Sequence, residues 1–488
     1  MKKVLSIAVL LFAANLSAQA IAEKDIEEII GRMTLEQKAR MLVGTAGSNE
    51  GLSHRTAGAA GWTYPIDELG IPSINLADGP VGVRIDPVES GVKIEYDSLG
   101  IPVVRSGGGE TLSARTAFCT CFPSTTALAA TWDRDAARLQ GEIMGDEARS
   151  YGVDVVLTPG INIMRNPLCG RNFEYYSEDP LLTGKMAASL IQGIQEKGIG
   201  TSLKHFVANN QQTGKKYNDA RMTQRALREI YLRGFEICVK EAHPWTVMGS
   251  YNKIAGEFTQ TNQELMLDLL RNEWGFDGLV VTDWTVRRPT ADLLNARCAL
   301  MMPGEEEIVE EIIEAVRSGQ VSESTLDACV KDVLGVVSKS ISAKGWEYAV
   351  PDLAAHAKAS RRIASEGMVL LKNNNAVLPL KSGAKIALFG ASAYKSIAGG
   401  TGSSNVNKAY VENISAGLEQ AGYELNERLA GLYEKYVVFK SDMLDKYPDC
   451  PDWQKVSYHR TVLPEMDLSG RVDLVGQEIS RSDEAVVV

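Results

Sequence analysis

The chain has no run of Lys and Arg that could track a phosphate backbone, and its formal net charge is −11 with a pI near 5.2. A nucleic-acid partner is therefore excluded, and a neutral small molecule fits better. Its seven cysteines, at positions 119, 121, 169, 238, 298, 329 and 450, are odd in number and show no paired zinc-site spacing. No structural metal is expected; Cys238 and Cys329, in apolar helix-like contexts, read as small buried hydrophobes. Beyond the extreme N-terminus no apolar stretch is long enough to span a bilayer. The glycine-rich segment AGGTGSSNVN, residues 398–407, lacks the GK[ST] ending of a phosphate loop and the spacing of a dinucleotide fingerprint, so a tight interdomain loop is expected there.

What the chain does have begins with a leader-like start. Lys2 and Lys3 precede the apolar run VLSIAVLLFAA, and Ala18, Gln19 and Ala20 form an A-x-A-like cleavage site. Residues 1–20 are thus expected to be a signal peptide, with a periplasmic or secreted mature protein. The length of 488 residues exceeds one ordinary domain and suffices for a large core. The pattern predicts a first domain over 21–345, a linker over 346–360 and a second domain over 361–488, where MVLLKNNNAVLPL and KIALFGASA supply new strand signals.

Inside the first domain, short apolar runs end abruptly on polar clusters. LVVTDW stops on Asp283 and Trp284; INLADGP places Asp78 before a Gly-Pro turn; GTSLKHFVANN ends on Lys204 and His205, then Asn209 and Asn210. TVMGSYNKI supplies Met248, Ser250, Tyr251 and Asn252. The turn-rich MRNPLCGRNFEYYSEDP gathers Arg165, Arg171, Glu174, Glu178 and Asp179. Between them lie helical patterns such as RALREIYLRGFEICVKEA, with Leu227, Ile230, Tyr231, Phe235 and Val239 at helical spacing. Buried strands alternating with helices predict a (β/α)8 TIM-like barrel, in which chemistry sits at the C-terminal strand ends.

The segments ADGPVGVR, GRNFEYYSEDP, KHFVANN, MGSYN and LVVTDW, in this order, resemble the family-three glycoside hydrolases, most of all their β-glucosidase branch. The likeness runs from about Ile26 onward. It implies a barrel followed by an α/β/α sandwich, no cofactor, and a small carbohydrate as substrate. It assigns Asp283 as nucleophile of a retaining, exo-acting hydrolysis of β-linked glucosides or oligosaccharides. Asp78, Arg171, Lys204 and His205 would grip the sugar, with Met248, Tyr251 and Trp284 walling the site.

Bland readings stand beside these. Asp283 could cap a helix; His205 could be a satisfied core histidine, although an adjacent buried lysine needs a reason; Met248, Tyr251 and Trp284 could all be core. Retaining hydrolysis needs two carboxyl groups roughly 5 Å apart. The resemblance places the acid/base on a loop after the strand that SRSDEAVVV begins, and neither Glu478 nor Glu484 sits in such a motif. The expectation is an incomplete sandwich with impaired proton donation. The alternatives are a non-catalytic glycan-binding remnant, and a β-N-acetylglucosaminidase, whose KHFPGHG motif is replaced here by KHFVANN. Family members also carry an acid shortly before the MPG turn; here Cys298 and Ala299 precede Met302, Pro303 and Gly304, which reads as altered support on the last barrel strand.

Overall fold

The computed structural model describes residues 25–45, 56, 58–86, 94–96, 102–104, 117–400, 402–445 and 463–488. The expected signal peptide and Cys450 lie outside the described residues. The chain divides into two compact units, residues 1–368 and 369–488.

Seven strands of the first unit form one sheet in sequential order: β1 (Gly61–Trp62), β2 (Asn75–Asp78), β3 (Val155–Leu157), β4 (Gly200–Phe206), β5 (Thr246–Gly249), β6 (Leu279–Val281) and β7 (Cys298–Leu300). The segment Leu42–Thr45 closes it into a ring. Met301 N–H donates to Leu42 O and Gly44 N–H to Met301 O, each at 2.9 Å, while Thr45 and Trp62 exchange two bonds of 2.9 Å. β2 to β7 are parallel and, apart from the half-buried Asp78 at the end of β2, buried throughout, as strands covered on both faces are. The helices Arg134–Ser150 and Pro180–Glu196 pack together in the outer layer.

The barrel departs from eight identical repeats at β1, which runs antiparallel to β2, Gly61 facing Leu76. Between Trp62 and Asn75 the chain makes only one helical turn, Asp67–Leu69, closed by an Ile66–Ile71 bridge. A parallel return needs a crossover of a dozen or more residues, usually a helix. Close approach also restricts the site: a Cβ on Gly61 would stand 2.3 Å from Met302 Cε and 2.6 Å from Thr45 O. Met302 thus fills the seam between the first and last strands. β7 itself is fully buried and pairs with β6, Val280 opposite Cys298, with an irregularity before Val281 meets Leu300.

A second departure lies in the expected helix over 225–242. A π-helical turn spans Leu227–Tyr231, with Leu232 N–H donating to Leu227 O at 2.8 Å, before the helix Arg233–Ala242. The five-residue closure rotates the apolar stripe, so Leu232 is buried while Ile230 is left half-exposed. Cys238 and Cys329 are buried as expected, their thiols directed at Gly184 O and Leu294 O, both at 3.6 Å.

The segment read as a linker carries the start of the helix Leu353–Glu366, which belongs to the first unit. His356 Nδ1 lies 2.9 Å from the buried Glu147 Oε1, and Ser360 Oγ donates to Cys121 O at 3.1 Å. The boundary falls later, at Met368, because these polar contacts and the close seat of Gly367 on Ala127 tie the helix to the barrel.

The second unit is built on a parallel three-stranded sheet, in the order β9 (Glu424–Leu425), β8 (Lys385–Phe389), β10 (Glu484–Val487). Ile386, Leu388, Leu429 and Tyr433 form its core, with Tyr394 stacked on Tyr433 at 5.2 Å. The described residues of the glycine-rich segment, 398–400 and 402–407, make tight turns, Gly400 N–H donating to Ser404 O at 3.2 Å. Glu478 is buried and paired with Arg428 and Arg481, at 3.0 and 3.2 Å.

Candidate active site

Parallel register places the polar strand ends on one rim. Asp78 pairs in register with Leu157, and Val281 with Met248, so Asp283 and Ser250 stand two steps beyond a shared level. Asp283 is 5 % exposed. Its Oδ1 accepts the Trp284 N–H at 2.7 Å, and its buried Oδ2 has no hydrogen-bond partner among the described residues. His205 Nε2 lies 3.7 Å from Oδ2. Burial pushes the Asp283 carboxyl above its ordinary range; Arg171, the Trp284 N–H, Tyr251 and Lys204 oppose that rise. It is not a helix cap, since no helix begins until Thr290.

His205 satisfies the bland reading and the sharper one together. Its backbone N–H donates to Asn162 Oδ1 at 3.0 Å, and Nδ1 lies 3.2 Å from the Tyr175 hydroxyl. Burial, then Arg171, Lys204 and Lys215, hold its pKa well below the usual imidazole value, so the ring is neutral at neutral pH. Nδ1 also lies 3.3 Å from Asn162 Oδ1, and the Tyr175 hydroxyl donates to Asn209 O at 3.3 Å, so the ring is held by groups on its Nδ1 side while Nε2 faces the carboxylate. Lys204, 2 % exposed on β4, precedes it.

Arg171 comes to the rim on the single turn Asn172–Glu174 that follows β3. Its Nε donates to Glu174 Oε1, the two side chains being 17 % and 1 % exposed. Burial opposes both charges, and the pair overcomes it. Arg171 is held well above its ordinary pKa chiefly by Glu174; Glu174 is lowered by Arg171 and Lys204. Tyr251 donates its hydroxyl to Trp284 O at 3.0 Å, and burial together with Asp283 raises its pKa. The Trp284 indole is anchored through Nε1 to Ala60 O at 3.0 Å and is half-exposed. Asp78, half-buried, ends β2 with its carbonyl accepting the Arg84 N–H at 2.7 Å, and its charge bears on Tyr251. Met248 lies within β5, almost fully buried, level with Val281 and so two residues below Asp283.

Two participants were not singled out by sequence. Glu174 lay in the polar turn, and its i, i+3 spacing from Arg171 was the available signal. Lys215 comes from a loop without periodicity; its Nζ lies 4.2 Å over the Tyr251 ring, and its charge acts on Asp283, Arg171 and Glu174. Two members of the polar turn serve elsewhere: Asp179 caps the helix Pro180–Glu196, and Arg165 donates to the Tyr231 hydroxyl. Among the described residues no group of three or more His, Cys, Asp or Glu could hold a metal ion, and no helix is long and apolar enough to cross a membrane.

The arrangement is that of a carboxylate with one free oxygen, in a dry rim, ringed by cations and hydrogen-bonding groups. Comparison with known proteins gives the family. Residues 90–336 match the model of the glycosyl hydrolase family 3 N terminal domain, and residues 368–488 that of the family 3 C-terminal domain. Thermostable beta-glucosidase B of Acetivibrio thermocellus is 39% identical over 424 residues, covering 86% of this chain and 51% of that protein. An exo-alpha-(1->6)-L-arabinopyranosidase of Bifidobacterium longum is 37% identical over 400 residues, covering 80% and 49%. The structure of beta-glucosidase 3B from Thermotoga neapolitana in complex with glucose superposes with a TM-score of 0.84 at 40% identity, covering 95% of this chain and 62% of that one. The chain spans about half the length of the curated relatives it matches. With one model matching the barrel from residue 90 to 336, half of the chain, and a second the following unit, the chain belongs to glycosyl hydrolase family 3.

Proposed function

We propose that this chain carries the glucose-binding and nucleophilic half of a retaining, exo-acting β-glucosidase. The observation that carries the reading is Asp283: a buried carboxylate at the barrel mouth with Oδ1 fixed by the Trp284 N–H and Oδ2 left free. A nucleophile needs that free lone pair, aimed by the fixed oxygen. Attack on the anomeric carbon forms a glycosyl ester on Asp283 as the leaving oxygen departs, and water then releases the sugar. Asp78, Arg171, Lys204 and His205 would hold the ring hydroxyls, since charged hydrogen bonds in a dry site both bind and align. Tyr251 and Trp284 would flank the nucleophile, and Met248 would support it from below. Glu174, kept as a carboxylate by Arg171 and Lys204, is unsuited to donate a proton to the leaving group.

The similarity to β-glucosidases and to a glucose complex supports the choice of sugar. Asp283→Asn removes the nucleophile without changing shape. The variant should bind glucose yet show no turnover of 2,4-dinitrophenyl β-glucoside, whose phenolate departs without protonation. Undiminished release of the phenolate would reject the assignment. A glycan-binding protein without catalysis would instead show glucose affinity and no phenolate release from the unaltered chain.

We also propose export to the periplasm or the medium, supported by Lys2, Lys3, the apolar run after them and the Ala18–Ala20 site. N-terminal sequencing of protein recovered outside the cytoplasm should begin at residue 21; an intact Met1 there would overturn this.

A further inference from the structure

The loop over residues 211–218 leaves the barrel rim after β4 and has no periodicity, yet it is firmly tied. At its base Gln211 Nε2 donates to Asn218 Oδ1 at 2.7 Å, and Asn218 O accepts the Lys253 N–H at 2.7 Å. Within it, the N–H groups of Tyr217 and Asn218 both donate to Gly214 O, at 2.8 and 2.9 Å. Two successive side chains then anchor the apex to residues around Asp283. Lys215 lies over the Tyr251 ring, and Lys216 Nζ donates to Thr285 O and Oγ1, each at 3.3 Å. Arg288 adds a further tie, its Nη2 reaching Tyr251 O at 3.0 Å and Lys216 O at 3.5 Å while its guanidinium covers the Phe258 ring at 3.5 Å.

The third side chain in the row, Tyr217, is treated differently. It stands beside Arg288, close enough that its phenol bears on that guanidinium, and it is 80 % exposed. A solitary exposed tyrosine is ordinary. Here the ring is displayed on a loop whose two preceding residues, Lys215 and Lys216, are tied to Tyr251 and Thr285 beside the nucleophile, and ordered, irregular loops at a barrel mouth are where binding groups are carried.

We propose that Tyr217 is the platform for the leaving-group part of the substrate, and that Lys216 and Arg288 beside it select an aromatic aglycone bearing a carboxylate. The assignment rests on the reading of Asp283 as nucleophile. The sugar occupies the buried rim, and its aglycone projects outward toward the loop. A flat aryl ring stacks on the exposed phenol ring, and its carboxylate meets the two cations.

Calorimetric titration with uncleaved 1-thio-β-glucosides separates this from the underlying reading. The unaltered chain should bind phenyl thioglucoside roughly threefold to tenfold more tightly than methyl thioglucoside, as expected of one aromatic contact. A 4-carboxyphenyl group should add a further gain that shrinks at high salt. Tyr217→Ala should bring the phenyl-to-methyl ratio to about one, and Tyr217→Phe should keep it. A ratio near one in the unaltered chain, or a ratio that survives Tyr217→Ala, overturns the platform while methyl thioglucoside binding leaves the sugar site standing. A carboxylate gain that does not respond to salt overturns the role of the two cations. Failure of methyl thioglucoside and glucose alike to bind overturns the sugar site and the platform with it.

Discussion

Glu174→Gln tests whether the Arg171–Glu174 pair organises charge at the rim. Breaking a buried ion pair from one side typically costs about 3–5 kcal/mol, because the remaining charge is stranded. Two features lower that figure here. Glutamine keeps an oxygen for Arg171 Nε, and Arg171 is 17 % exposed, with Asp283 as an alternative counter-charge. A loss of roughly 2–3 kcal/mol remains, which at about 2–4 °C per kcal/mol is a fall in Tm of roughly 4–12 °C for the barrel. The loss must depend on pH in a defined sense. Glu174 has its folded pKa lowered, so its contribution is present above its unfolded value near 4.3 and vanishes as pH falls through the folded value. Thermal scans by circular dichroism from pH 7 down to pH 3 should therefore show the parent and variant converging in acid. The released Arg171 charge should also draw the Asp283 pKa down, moving the acidic limb of kcat/KM for an activated aryl glucoside to lower pH. Equal Tm values at pH 7, together with an unmoved acidic limb, would refute the reasoning.

Asp78→Ala should weaken glucose by about 2–3 kcal/mol, near a hundredfold, if charged hydrogen bonds to the ring are lost; equal affinities by calorimetry would place the sugar elsewhere. Asp283→Asn, besides losing turnover, should raise Tm at pH 7 by a few degrees, of order 1 kcal/mol. The folded pKa of Asp283 is raised, so its charge opposes folding above the unfolded value, while Arg171 keeps Glu174 when it is removed; a lower Tm would contradict the dominance of burial.

The strand ends were legible because a parallel sheet covered on both faces forces apolar runs to stop where polar groups begin. Asp78, Lys204, His205 and Asp283 each follow from that rule, and the register of β2 to β6 brings them to one rim. Met248 could not be resolved by the same rule, since an apolar residue inside a strand looks the same whether it faces a site or the core. β1 was invisible: a Gly-Trp dipeptide carries no alternation, and its direction is set by the shortness of the chain before Asn75. The π turn at Leu227 escaped because Leu, Tyr and Phe at helical spacing read as an unbroken stripe. Lys215 and Tyr217 lay in a loop whose order comes from side chains far along the chain, Tyr251, Thr285 and Arg288.

The same burial that raises the Asp283 carboxyl lowers the His205 imidazole, and these opposed shifts decide the chemistry at their 3.7 Å separation. A protonated His205 would form an ion pair with Oδ2 and occupy the lone pair that attack requires. Desolvation alone disfavours that state, and Arg171, Lys204 and Lys215 disfavour it further by repelling a fourth positive charge. The three cations also favour ionised Asp283 or stand close enough to bear on it, with Arg171 the strongest of them. A single ring of positive side chains thus acts in one direction on both partners, keeping the imidazole neutral and the carboxylate charged. Glu174 completes the balance by engaging Arg171 directly, which leaves Asp283 stabilised by Arg171 at a distance rather than bonded to it. A free but charged oxygen in a dry rim is the outcome, and it depends on groups drawn from β4, the turn after β3 and the loop over 211–218 together.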